Sequence, residues 1–430
     1  MLRVGCCEFP GSKGRRAKLS LFGLGLWART GGDVRVKKVV VLGGAGAMGQ
    51  VIVRDLVEFA CGCETVIADF NKEKAEALAQ SMGKSDCKGV FADLNDSAGM
   101  VDVLSGASVV INSTPYYFNV QVMEAALQAG CHYMDLGGLF HVTRQQQKLH
   151  QRFADRKLLA ILGMGAAPGM TNIMAAAGTS RLDTVDSIDI AIGCVDFVEV
   201  DHPLAPPYAL DTILDEYVKE PMVFENGTFK AMPPMSGEIV IDFPAPVGES
   251  SAILTLHSEV ATLPESYKDK GVKQVTFRLG LPPEFHHKLK LLIDIGFGAS
   301  EKVKVDGAEI VPRRLLAKLL ERFPAPQQDP DDCEVVRVDV RGRRQGTETL
   351  VRTETIVRPH PLWKVSCGAL DTGVPPSIAA QMILAGEISQ IGVLAPEVCV
   401  PFDRFFEELS KRGIDIEIKS VAPAETSLAQ

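Results

Sequence analysis

"VVVLGGAGAMGQVIVRDL", Val39 to Leu56, is the stretch that decides the fold: an apolar run meets Gly43, Gly44, Gly46 and Gly49, and an apolar pattern then resumes at helical spacing. A buried strand has no use for four glycines. Glycine allows positive φ and close backbone approach, so glycines between a strand and a helix predict a turn that wraps a ligand. Gly44, Gly46 and Gly49 fit GxGxxG at the start of a helix, where the free amides around Ala47 and Met48 would seat a pyrophosphate.

Working outward, a second apolar strand ends in Asp69, twenty residues beyond Gly49, and a third ends in Asp93. An acid at the Asp69 position accepts from ribose hydroxyls and repels a 2′-phosphate, so NAD is the expected cofactor, with NADP as the alternative because Lys72 and Lys74 lie close by. Gly43, Gly46 and Gly49 also satisfy the GxxGxxG of short-chain dehydrogenases, but none of the six tyrosines has the lysine four residues on that those enzymes require. No lysine follows the glycines as in a P-loop, and "HSE" at His257 lacks the PCxxC of a zinc deaminase.

From Lys38 the chain alternates apolar runs with amphipathic segments, the pattern of a parallel sheet covered on both faces. After "APGMTNIMAAAG" strand-like runs predominate, among them "SIDIAIGCVDF", "KQVTFRLG" and a hairpin closed around "GRRQG". The expected fold is therefore α/β: a doubly wound Rossmann-type parallel sheet, followed by a second α+β domain with a large mixed sheet.

The length of 430 residues suits two or three domains. A net charge of −9 argues against nucleic acid or an anionic membrane as the main partner, and no apolar stretch is long enough to span a bilayer. The ten cysteines include no CxxC pair, so neither the usual zinc spacing nor a redox motif is present, no metal is expected, and a reducing, cytoplasmic compartment is. Residues 1–37 have little periodicity. A disordered tail, a targeting peptide and a start assigned too early all fit them, the last being the favoured expectation.

In a doubly wound sheet the chemistry lies beyond the carboxyl ends of the strands. Two loops qualify, "NSTPYYFN" and "CHYMDLGG". Asn112 and Ser113 are placed to touch the cofactor. Tyr116, Tyr117 and His132 read either as groups meeting a substrate or as packing residues. Asp135 reads as a turn acid or as a buried carboxyl suited to accept a proton. Downstream, Asp211, Asp215 and Glu216 read as a solvated helix face, His257 and Glu259 as a polar pair, and Arg278 as a carboxylate clamp or an outward strand residue.

Six stretches in order, "VVVLGGAGAMGQVIVRDL", "VVINSTPYYFN", "CHYMDLGG", "GMGAAPGMTNI", "LHSEVATLP" and "AGEISQIGVLAPEVCVP", resemble the saccharopine dehydrogenase-like family from about Lys38 to Ile418. Within that family the compact bacterial L-lysine 6-dehydrogenases are the nearest likeness. The resemblance implies a discontinuous NAD(P)-binding domain over 38–168 and 366–421, enclosing a substrate-binding and dimerisation domain over 169–365. It implies hydride transfer at the C–N bond of a small amino-acid substrate by a homodimer. Asp135 would be the base, Tyr116 and His132 would orient, and Arg278, with His257 and Glu259, would hold the substrate. Two stretches depart from the pattern, after "DHPLAPPYAL" and at "FRLGLPPEF", which keeps saccharopine and carboxynorspermidine reductases as alternatives. A regulatory protein that binds dinucleotide without turnover is the alternative of another class.

Overall fold

A computed structural model describes residues 37–60, 62–198, 202–323 and 328–421. The expectations for residues 1–36 lie outside the described residues.

Six parallel strands form the first layer: β1 (Lys37–Leu42), β2 (Cys63–Asp69), β3 (Cys87–Phe91), β4 (Val109–Asn112), β5 (His132–Asp135) and β6 (Leu159–Ile161). A seventh strand, Gly392–Leu394, joins from the far end of the chain by pairing parallel to β6. Read across the sheet the order is 3-2-1-4-5-6 and then this late strand. That is the doubly wound arrangement, with its switch point between β1 and β4. Val39 through Leu42 are all fully buried, as strands covered on both faces must be.

The glycine stretch enters helix α1 (Ala47–Phe59), whose Val51, Ile52, Val53 and Leu56 are buried. Burying each such side chain contributes about 1.5–3 kcal/mol. Helix Cys367–Ala385 packs across α1, and Gly373 makes room for it: a Cβ there would lie 2.6 Å from Val51 Cβ. Arg412 then pins α1 from a third segment, with Nε 2.6 Å from Asp55 Oδ2 and both side chains almost wholly buried.

The second sheet has nine strands. Its main path runs Ile239–Asp242, Glu249–Leu254, Gln274–Gly280, Thr184–Asp196, Asp332–Arg344, Thr347–Val357, Glu417–Val421. The hairpin around "GRRQG" pairs Asp332–Arg344 with Thr347–Val357 antiparallel. The last strand corrects the expected boundary: Glu417–Val421 hydrogen-bonds to Thr347–Val357, so the chain returns to the mixed sheet after completing the parallel one. Helix Met170–Thr179 joins the two layers from the "APGM" turn, its Thr171 bonded to Glu259 and its Asn172 to Glu397. Among the described residues no helix is long and apolar enough to cross a membrane.

Candidate active site

The glycines divide into two physical kinds. A Cβ on Gly49 would lie 2.3 Å from Gly43 O and 2.6 Å from Gly44 Cα, so this glycine is required by the fold itself. A Cβ on Gly46 would meet a single neighbour, Gly43 O at 3.1 Å, and Gly46 and Ala47 face solvent. Gly46 caps α1 without a side-chain partner, leaving the first-turn amides to an outside acceptor. The open cradle and free amides fit the pyrophosphate of a dinucleotide. Asp69 closes the loop, accepting from Ala45 N at 3.1 Å and Asn71 N at 2.9 Å. Beside it Phe70 and Phe91 stand 70% and 49% exposed at the ends of β2 and β3, their ring centroids 5.7 Å apart. Neither aromatic was singled out from the sequence, where each reads as a strand-end apolar residue.

Asp93 serves its own turn, accepting from Asn95 N and Nδ2. Asn112 is buried and holds the loop after β4 through Asn119 and Thr114. Ser113 Oγ donates to Leu42 O at 2.6 Å. Both shape the groove beside Gly43 and point their polar atoms into the protein.

Asp135 is fully buried, and four donors converge on it: Tyr133 OH at 2.8 Å, Gln146 Nε2 at 2.6 Å, Gly137 N at 2.9 Å and Gly163 N at 2.8 Å. Burial raises its pKa, and these hydrogen bonds oppose the rise. With both oxygens engaged it locks the loops after β5 and β6 together as a turn acid does, and its carboxylate is not presented as the base that the resemblance implies. His132 is also corrected. It opens β5, opposite Val109, while Asp135 closes it opposite Asn112, and its Nδ1 accepts from Leu159 N at 3.0 Å. It therefore lies at the amino end of the strand, away from the cofactor end.

Arg278 lies in strand Gln274–Gly280 and bonds Gly237 O and Thr276 Oγ1, with no carboxylate in contact among the described residues. Strand alternation puts its neighbour Phe277 on the opposite face, stacked on the His257 ring at 3.6 Å. Arg278 thus faces away from His257, on the other side of the strand. His257 and Glu259 do come together, with Nδ1 3.0 Å from Oε2, but both are buried and committed. Glu216 Oε1 lies 3.6 Å from His257 Nε2, Tyr208 donates to Glu216, and Thr171 donates to Glu259 at 2.8 Å. Burial alone would lower the His257 pKa; the two glutamates outweigh it and raise it to about 9.

Of the expected catalytic groups Tyr116 lies, partly exposed, beyond the carboxyl end of β4. Its hydroxyl donates to Asp215 Oδ2 at 2.6 Å and accepts from Lys219 Nζ at 2.6 Å. Arg313 Nη1 reaches Asp215 Oδ1 at 2.8 Å. Burial and the Asp215 carboxylate push the Tyr116 pKa up, so the phenol is neutral. Burial works against ionisation of Asp215, but the bonds from Tyr116, Arg313 and Lys219 prevail and hold its pKa below the usual value. The loop after β4 thus meets helix Leu210–Val218 of the mixed-sheet layer in a tyrosine flanked by an ammonium and a carboxylate. Asp215 and Glu216 are buried, which corrects their reading as a solvated face.

Comparison with known proteins follows the same division. The saccharopine dehydrogenase NADP binding domain matches residues 39–161, and the saccharopine dehydrogenase C-terminal domain matches residues 165–414. Carboxynorspermidine synthase of Vibrio alginolyticus is 25% identical over 84% of this chain and 89% of its own. Carboxyaminopropylagmatine dehydrogenase of Synechocystis is 23% identical over 87% of this chain and 96% of its own. Saccharopine dehydrogenase (L-Glu forming) of Saccharomyces cerevisiae has the same fold, with a TM-score of 0.70 at 19% identity over 90% of this chain and all of that one.

Proposed function

Because the chain belongs to the saccharopine dehydrogenase family, we propose that it is an NAD(P)-dependent oxidoreductase acting on a secondary amine that joins an amino acid to a polyamine-like chain. The observation that carries the reading is the cleft itself. Tyr116, at the carboxyl end of β4, meets Lys219 and Asp215 where the reactive end of a dinucleotide held by Gly46 and α1 would lie. The names of the relatives from Vibrio and Synechocystis support a carboxyalkyl polyamine.

The cofactor, when bound, supplies the hydride acceptor or donor. The residues that would hold it are Gly44, Gly46, Ala47, Met48 and Gly49 at the pyrophosphate and Asp69 at the ribose, with Phe70 and Phe91 flanking the adenine side. Asp69 favours NAD over NADP by its charge. The neutral Tyr116 hydroxyl gives a proton to the substrate nitrogen as the C=N bond is reduced and takes one back in the reverse direction, and Asp215, kept ionised by Arg313 and Lys219, orients it. Lys219 donates to that hydroxyl and stabilises charge on it as the proton passes. Asp135, Asn112 and Ser113 keep the loops that carry Tyr116 and the cofactor groove in place. On this reading the enzyme acts in the cytoplasm, in the nitrogen metabolism of lysine or polyamines, as a homodimer; the seven free cysteines among the described residues support a reducing compartment.

The test is reduced-cofactor formation with carboxynorspermidine, saccharopine, L-lysine and ornithine in parallel, each with NAD and NADP. The expected result is turnover of carboxynorspermidine with a kcat/KM at least about tenfold above the others. Preference for L-lysine would return the function to a 6-dehydrogenase, and silence with every amine would end the catalytic reading.

A further inference from the structure

Tyr117 is 59% exposed, one residue beyond Tyr116 in the short helical turn Tyr116–Phe118 that follows β4. Its ring stands edge-on to that of Tyr116, with centroids 5.7 Å and planes 72° apart, and leans on Phe118 at 4.8 Å. Those two neighbours hold the ring in place and leave it open to solvent. Of the two readings that the sequence allows Tyr117, a packing role would bury it.

The same cluster shows what such a ring can hold. Lys219 Nζ lies over the Tyr116 ring, 5.2 Å from its centroid, an alkylammonium on an aromatic face. That ammonium is committed, since it also bonds Tyr116 OH and pairs with Asp215. Among the described residues no cation lies over Tyr117. Asp211 supplies charge beside it. It stands four residues before Asp215 on helix Leu210–Val218, so the two project from one face of the helix, and Asp215 Oδ2 is 2.6 Å from Tyr116 OH. Lys219 and Arg313 both go to Asp215. Asp211, one turn away and exposed, pairs with no cation among the described residues. Burial raises the Tyr117 pKa and the Asp211 carboxylate raises it further, while the exposed Arg314 guanidinium opposes the rise with a smaller effect than that of Asp211.

We propose that Tyr117 and Asp211 form a subsite for a second, terminal ammonium group of the substrate, beside the nitrogen that reacts at Tyr116. This rests on the amine-oxidoreductase reading above. The ammonium lies on the Tyr117 ring as Lys219 lies on that of Tyr116, with the Asp211 carboxylate as its countercharge. Both groups are exposed, so a ligand reaches them from solvent without any rearrangement of the core. An uncharged chain end gains neither contact. The subsite therefore selects a substrate whose chain continues past the reacting nitrogen to another ammonium.

The experiment measures, by calorimetry on the full chain with NAD present, binding of N-propylpropane-1,3-diamine and of dipropylamine. The two probes share the secondary amine and the carbon chain and differ in one terminal ammonium. The wild type is expected to bind the diamine about fivefold or more tightly. The preference should persist in Tyr117→Phe, which keeps the ring, and fall to about twofold or less in Tyr117→Leu and in Asp211→Asn. Both positions are exposed, so the variants are expected to fold, and thermal unfolding checks that they do. Equal or undetectable binding of the two probes by the wild type overturns the subsite. So does a preference that survives Tyr117→Leu or Asp211→Asn, or one that is lost in Tyr117→Phe. The expected preference without turnover of any amine keeps the subsite and ends the reading on which the activity rests. Turnover of carboxynorspermidine without the preference does the reverse.

Discussion

At the scale of single residues, the loop "GGAGAMG" separates what the fold needs from what a ligand needs. A methyl on Gly49 collides with backbone at 2.3 Å, whereas one on Gly46 meets only Gly43 O at 3.1 Å. Gly49→Ala should therefore cost about 1–3 kcal/mol of unfolding free energy, the range of an overpacked site. Gly46→Ala should cost about 1 kcal/mol or less, as at an ordinary helix cap, yet weaken dinucleotide binding about tenfold or more. Urea denaturation and fluorescence titration with NADH measure the two effects, and equal stability losses in both variants would contradict the division. This residue-level pattern was legible because spacing and strand context carry it. The roles of single polar residues were not. The four donors on Asp135 come from β5, the following turn, Gln146 and the loop after β6, and no local spacing announces that convergence. The tyrosine–lysine pair that the sequence lacks at spacing four is assembled instead from Tyr116 and Lys219, 103 residues apart.

At the scale of elements, helices Leu210–Val218 and Glu259–Ser266 are fastened by His257 between Glu216 and Glu259. The charged imidazole is the folded form. Its pKa, raised to about 9 from the unfolded 6.5, means that this stabilisation is fully present below pH 6.5 and is lost as pH rises through about 9. The contribution is on the order of 3 kcal/mol. Unfolding free energy followed from pH 6 to 9.5 should fall over that window in the wild type and fall less in Glu216→Gln. An identical slope in the variant would contradict the clamp. Here the sequence offered half of the signal. "LHSE" marked the pair His257 and Glu259, but "LDTILDEY" gave no sign that Asp215 and Glu216 leave one helix in two buried directions. A helix face reads as solvated by default when nothing local indicates what packs on it. The misplacements of His132 and Arg278 have simpler geometric causes, the wrong end of a four-residue strand and the wrong face of an alternating one.

At the scale of the whole molecule, one chain builds a parallel sheet, a mixed sheet, the last strand of the parallel sheet and then the last strand of the mixed one. Both layers are therefore sewn together by the chain itself, and the cleft where Tyr116 meets Lys219 is formed by elements from each. The alternation of strands and helices, the change of texture near residue 169 and the family resemblance were legible because they rest on long periodic segments. The return of Glu417–Val421 to the mixed sheet was not, since a five-residue strand carries no label for its partner. The central claim, that this cleft moves a proton at a C–N bond while hydride passes to or from a nicotinamide, is tested most directly by one measurement. The near-ultraviolet absorbance of reduced cofactor is followed with carboxynorspermidine in the wild type and in Tyr116→Phe, which keeps the ring and removes the hydroxyl. The expected result is robust turnover in the wild type and a kcat lower by about 10²–10⁴ in the variant, with unchanged cofactor binding. Full activity in Tyr116→Phe would contradict it.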